Sequence, residues 1–155
     1  MTLTVTQKAP DFTLPTDGDD FTLSSLSGPA IIYFYPKDMT PGCTTESIDF
    51  SDLYDDFKAM NCEIIGVSKD SPARHGKFRA KHDLKPVLVS DEEGTLCEAY
   101  GVWQEKKLYG KVYMGIVRST FLIDDKGVVQ HIWPKVKVKG HAQDVLDTLK
   151  AMQST

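Results

Sequence analysis

Thr40-Pro41-Gly42-Cys43 comes soon after the apolar run Ala30-Ile31-Ile32-Tyr33-Phe34-Tyr35, and the pair of segments reads as strand, loop and helix start. The run is rich in β-branched and aromatic residues, as a buried strand is. With Thr40 as N-cap, Pro41 takes the first helical position, where its missing N–H costs nothing. Cys43 then takes the third, among unpaired N–H groups at the positive end of the helix dipole. Both features favour the thiolate, the nucleophilic form of cysteine. An N-cap threonine points its oxygen at the third helical residue, so Thr40 is expected to bond the Cys43 backbone and to orient a molecule bound at the sulfur. Gly42 allows close approach to that backbone.

Arg118 is the one basic residue in the apolar run Ile116–Ile123, read as a single strand. Such a position is normally paired or functional. His75, His82, His131 and His141 show no close pairing with one another or with the cysteines that would suggest a metal, and they read as surface residues. There is no phosphate loop or dinucleotide fingerprint, so neither a metal nor a cofactor is expected.

The elements that must hold these residues can be placed coarsely. Phe12-Thr13-Leu14 and Phe21-Thr22-Leu23 flank Asp17-Gly18-Asp19-Asp20 as an N-terminal β-hairpin. Phe50, Leu53, Tyr54 and Phe57 fall at helical spacing, which predicts a helix from Thr40 to about Lys58. Strands are expected at Glu63–Ser68 and Val87–Ser90, with a helix from Pro72 to about Asp83 between them. A short helix at Thr95–Tyr100, a hairpin of Ile116–Ile123 with Val128–Trp133, and an amphipathic helix carrying Ala142, Val145, Leu146, Leu149 and Met152 complete the order. Gln104–Gly115 has no clear pattern and reads as a flap. The expected class is α/β: a central mixed β-sheet flanked by helices, with the N-terminal hairpin, in one domain over 1–155.

Composition is that of a globular protein, 41% hydrophobic and 26% charged, and a net charge of −4 argues against a nucleic-acid partner. No signal peptide or membrane span is read, which makes the cytoplasm the expected compartment. Three widely spaced cysteines do not suggest a disulfide framework.

The segment YFYPKDMTPGCTTESIDFSD, Tyr33 to Asp52, resembles the active-site segment of the peroxiredoxins, most closely the bacterioferritin comigratory protein (PrxQ) subfamily. Its pattern of Pro, three residues, Thr, two residues and Cys lands on Pro36, Thr40 and Cys43. Ile64–Ser71, Ser90–Gly94, Tyr100–Trp103 and Arg118–Asp124 extend the resemblance over nearly the whole chain. It implies a thioredoxin-like fold and a thiol-dependent peroxidase that reduces hydrogen peroxide and organic hydroperoxides through a Cys43 sulfenic acid. It sets Arg118 beside the thiolate, Pro36 at the pocket floor, and Glu46 as a carboxylate partner of Arg118. The Gly42 and Cys43 N–H groups, Thr40 and Arg118 would then hold the peroxide oxygens, which ionisation alone would not activate: a roughly thirty-fold gain in thiolate is worth about 2 kcal/mol, whereas enzymes supply at least about 8.

The match departs from the subfamily at the second thiol. Many relatives have a cysteine five residues after the first, where this chain has Ile48, and another branch has one on the helix matching 72–83, which here has none. Cys62 and Cys97 remain, both read as packing thiols, Cys97 being the better candidate for an internal resolving role because a short helix between turns could move. The expectation is a one-cysteine cycle in a monomer, with thioredoxin, glutaredoxin or a small thiol as reductant. The alternatives are a two-cysteine cycle through Cys97 or Cys62, or a redox sensor or holdase without turnover. A dithiol oxidoreductase is disfavoured because Thr40 stands where its first cysteine would be.

Overall fold

A computed structural model describes residues 3–153; the outermost two residues at each end of the expected 1–155 domain lie outside the described residues. Strands β1 (Thr13–Leu14) and β2 (Phe21–Thr22) pair antiparallel as the expected N-terminal hairpin. The central sheet contains β3 (Ala30–Phe34), β4 (Glu63–Ser68), β5 (Val87–Ser90), β8 (Ser119–Ile123) and β9 (Val129–Trp133) in the order β5-β4-β3-β8-β9. Strands β3, β4 and β5 run parallel, while β8 and β9 join antiparallel, so the sheet is mixed. Every residue of β3 is buried, as expected of a central strand covered on both faces.

Side-chain alternation along β3 divides the core. Ala30, Ile32 and Phe34 pack on one face with Leu96 and Cys97 of helix α4 (Thr95–Ala99). Ile31, Tyr33 and Tyr35 pack on the other with Cys43, Cys62, and residues of α1 (Pro41–Asp52), α2 (Tyr54–Lys58), α3 (Pro72–His82) and α5 (His141–Gln153). Gly66 on β4 makes room for the Tyr33 ring: a Cβ there would lie 2.7 Å from it. The ring's hydroxyl reaches Ser47 of α1 at 3.0 Å, joining that helix to the sheet.

Three readings of the sequence are corrected. The helix predicted over Thr40 to Lys58 is broken at Leu53 (φ −99°, ψ 3°). Ser51 Oγ donates to Ser47 O at 2.8 Å, a competition with the backbone ladder that bends helices. The flap at 104–115 is a two-stranded ribbon, β6 (Trp103–Leu108) with β7 (Lys111–Ile116), closed by Tyr109 and Gly110, both at positive φ. Finally, Ile116–Ile123 is not one strand, because β7 ends at Ile116 and β8 begins at Ser119. Arg118 sits in the joint between the ribbon and the sheet, where a chain changing partners exposes a side chain that a central strand would bury.

Candidate active site

Cys43 is buried, 1% exposed, and stands at the third position of α1 behind Pro41. Arg118 reaches it from the joint before β8: Nη2 donates to Cys43 Sγ at 3.2 Å, while Nη1 donates to Glu46 Oε1 at 2.6 Å. Cys43 and Glu46 are three residues apart on one helix, so they present to the same side and a single guanidinium fork spans both. A Cβ built on Gly42 would lie 3.2 Å from Arg118 Nη2, so the glycine is what lets the guanidinium lie against the helix start. Burial works against the Arg118 charge, but Glu46 and Cys43 outweigh it and hold the pKa above its usual value. Glu46 is 1% exposed, and burial raises its carboxyl to about 7 against the pull of Arg118. Its Oε2 is enclosed without a hydrogen-bond partner among the described residues.

Thr40 precedes the helix in extended conformation (φ −86°, ψ 153°), but its hydroxyl does not cap it. It donates to Lys37 O at 2.9 Å, which corrects the expectation that Thr40 Oγ1 bonds the Cys43 backbone. The first N–H groups of an α-helix have no intrahelical acceptor, and those of Gly42 and Cys43, at the second and third positions of α1, receive no side-chain cap from Thr40. Pro36 is half-buried in the loop between β3 and α1.

A family model, AhpC/TSA, matches residues 5–132. The chain is 53% identical to Peroxiredoxin Bcp of Bacillus subtilis (strain 168) over 98% of both chains. This chain is a peroxiredoxin of the AhpC/TSA family. It is also similar to the bacterioferritin comigratory protein of Xanthomonas campestris, solved in connection with alkyl peroxide reduction, at 46% identity, TM-score 0.86 and 91% of each chain. A cysteine-to-serine variant of PrxQ from Xylella fastidiosa superposes with TM-score 0.93 over 99% of each chain at 37% identity. The fold is therefore thioredoxin-like and the activity that of a thiol-dependent peroxidase.

The peroxiredoxin's other two thiols lie apart from Cys43. Cys97 belongs to the core on the opposite face of the sheet from Cys43. Its helix is pinned by Asp91, whose carboxylate accepts from Leu96 N at 3.2 Å and Cys97 N at 2.8 Å. Cys62 shares the Cys43 face but is fully enclosed. Burial pushes the Cys62 thiol up to about 12, and burial together with Asp91 also raises Cys97, so both are held protonated. Cys43, Cys62 and Cys97 are all free. Among the described residues no cluster of His, Cys, Asp and Glu could hold a metal, and no helix is long and apolar enough to cross a membrane.

Sequence reasoning missed the group that holds the loop before Cys43. Asp38 is 1% exposed; its N–H donates to Asp70 Oδ2 at 2.7 Å and its carbonyl accepts from Arg74 Nη2 at 3.2 Å. Its carboxylate accepts from Tyr35 OH at 2.6 Å and faces His75 Nδ1 at 2.6 Å. His75 is wholly enclosed, with Nε2 at 3.0 Å from Val89 O. That carbonyl only accepts, so Nε2 carries the hydrogen. The next residue, Met39, is held at φ +67°, a conformation a non-glycine residue keeps only when its surroundings over-determine it. The sequence carried no local signal for this group, because its two partners lie 37 residues apart. His141 is likewise buried, 6% exposed, with Nε2 at 2.7 Å from Thr120 Oγ1, and burial lowers its pKa to about 4. The surface reading of His75 and His141 is thus corrected: each is enclosed because a distant strand or loop supplies its polar partner.

Proposed function

We propose that the enzyme runs a one-cysteine cycle in which Cys43 is the peroxidatic nucleophile and an external thiol restores it. The Cys43 sulfur attacks the distal oxygen of hydrogen peroxide or an organic hydroperoxide; the S–O bond forms as O–O breaks, and the electron pair leaves with water or alcohol after protonation. Arg118 and the N–H groups of Gly42 and Cys43 stabilise charge growing on the departing oxygen. The Thr40 hydroxyl, already donating to Lys37 O, offers its lone pairs to the peroxide proton. Glu46 fixes the guanidinium, and Pro36 closes the pocket floor. The sulfenic acid is then attacked by a thiol, releasing water and forming a mixed disulfide, and a second thiol frees Cys43 as the reductant is oxidised.

The single observation that carries this reading is the Arg118 fork shared between Cys43 and Glu46. Two findings favour external reduction over a two-cysteine cycle: Cys97 packs across the sheet, and Cys62 is sealed in the core. We take the chain to act as a monomer and a single domain over 1–155 in a reducing cytoplasm, without nucleic acid or membrane as partners. Thioredoxin, glutaredoxin and small thiols are the candidate reductants.

Cys43→Ser removes peroxide turnover while leaving the fold intact, since a serine hydroxyl is not ionised at neutral pH. Arg118→Lys keeps the charge but loses the fork, and its second-order rate with peroxide is expected to fall at least about thirty-fold. Peroxide consumption by Cys43→Ser, or near-normal kinetics in Arg118→Lys, would overturn these assignments.

A further inference from the structure

Two segments adjoin Arg118, the neighbour of Cys43, and take no part in the chemistry above. One is the β6–β7 ribbon, which pairs with no other strand among the described residues. The other is the strap 134–140 between β9 and α5. Both join at Arg118: Val117 N donates to Val102 O at 2.8 Å at the ribbon's base, and Val136 N donates to Arg118 O at 2.9 Å from the strap. Lys106 Nζ folds back to Ile116 O at 2.9 Å, and its titration is perturbed by burial and then by the charges of Arg118 and Cys43, which sets this face of the ribbon beside the site.

The composition of this surface is unlike that of the rest of the molecule. Of the seven large apolar side chains exposed among the described residues, five are Leu108, Tyr109, Val112, Tyr113 and Met114 on the ribbon. A sixth, Met39, is four residues before Cys43. Tyr109, at the tip, is 96% exposed. The ribbon and strap together hold six lysines against one glutamate, in a chain whose net charge is −4. None of the six makes an ion pair among the described residues. An isolated hairpin of two strands gains little from exposing apolar groups, and a concentrated exposed patch marks a binding surface.

We infer that the ribbon and strap form the docking surface for the reductant, and that this reductant is a protein with an acidic rim around its exposed thiol. The inference rests on the external-thiol reading above. A second copy of this chain fits the surface poorly, because a two-fold contact would set basic patch against basic patch. An acidic partner meets the lysines, covers the Tyr109 tip, and brings its thiol to the Arg118 joint beside Cys43. As a transient redox contact it should be small and sensitive to salt.

The test separates chemistry from docking. Wild type, Lys107→Glu/Lys111→Glu/Lys137→Glu and Tyr109→Ser are oxidised with one equivalent of hydrogen peroxide, then reduced either with an acidic thioredoxin or with dithiothreitol, each step followed by stopped flow. Oxidation and dithiothreitol reduction should stay within about two-fold of wild type, because no substituted residue touches Cys43 or Arg118. Reduction by thioredoxin should slow about ten-fold or more in the charge-reversed variant at low salt, and the gap should close as salt is raised and the wild-type rate falls. Equal thioredoxin rates at low salt, or a wild-type rate indifferent to salt, would overturn the proposal. So would a wild-type dimer in sedimentation that the variants dissociate, which would assign the patch to a second copy. A disulfide within the oxidised chain would defeat external reduction of the sulfenic acid yet leave the docking comparison readable, since the same thioredoxin would then reduce that disulfide.

Discussion

Arg118 Nη2 stands 3.2 Å from Cys43 Sγ, and that geometry depends on the bare backbone of Gly42 beside it. The arginine arrives from the joint between two strands and the cysteine from the first turn of a helix. A guanidinium can therefore lie flat against the helix start only where no side chain intervenes.

Gly42→Ala tests that dependence. The alanine Cβ would meet Nη2 at 3.2 Å, tight enough that the guanidinium must shift by a few tenths of an ångström. Alanine is the better helix former by up to about 1 kcal/mol, so thermal stability should hold or rise. The second-order rate with hydrogen peroxide should nonetheless fall at least about ten-fold, because small displacements of a positioning group are costly to catalysis. An unchanged rate in stopped-flow oxidation would show that the close approach does not matter.

His75 and Asp38 form a buried pair under the loop that carries Thr40. His75→Leu leaves the Asp38 carboxyl enclosed with Tyr35 as its only side-chain partner among the described residues, and stability to urea should fall by about 3 to 5 kcal/mol. Asp38→Asn on the same background should cost much less than it does alone. Additive losses in this double-mutant cycle would contradict the coupling.

Glu46 gives a pH signature. Its carboxyl is raised from 4.5 to about 7 by burial, so the folded state favours the proton. The resulting stability is complete below about pH 4.5 and is lost as pH rises through about 7. Relative to Glu46→Gln, wild type should therefore lose about 3 kcal/mol of unfolding free energy between these limits. A difference that is flat, or that grows with pH, would mean the Arg118 ion pair outweighs burial.

What could be read in the chain follows from how local each signal is. The strand, the loop and the start of the helix around Cys43 were legible because β-branched residues, Pro41 and Thr40 act on their own neighbours. The break at Leu53 was hidden because Phe50, Leu53, Tyr54 and Phe57 keep helical spacing through it, while the competing bond lies between Ser51 and Ser47. The β6–β7 ribbon escaped notice because it has no buried face to impose alternation, and its turn sets Tyr109 at φ +51° where glycine or asparagine is usual. Arg118 was recognised as unusual, but its place between strands depends on a β6–β7 hairpin that carries no clear pattern and on β8 pairing with β3, far away in sequence. The Asp38–His75 pair spans 37 residues of sequence and has no local signature at all.

In the one-cysteine cycle, oxidised Cys43 finds no partner within the chain. Intact-mass analysis after one equivalent of hydrogen peroxide, without added thiol and with a sulfenic-acid trap in parallel, checks this. One added oxygen, trapped at Cys43, is expected both in wild type and in Cys62→Ser/Cys97→Ser. Loss of two hydrogens with no added oxygen, abolished in the double variant, would contradict it and identify an internal resolving thiol.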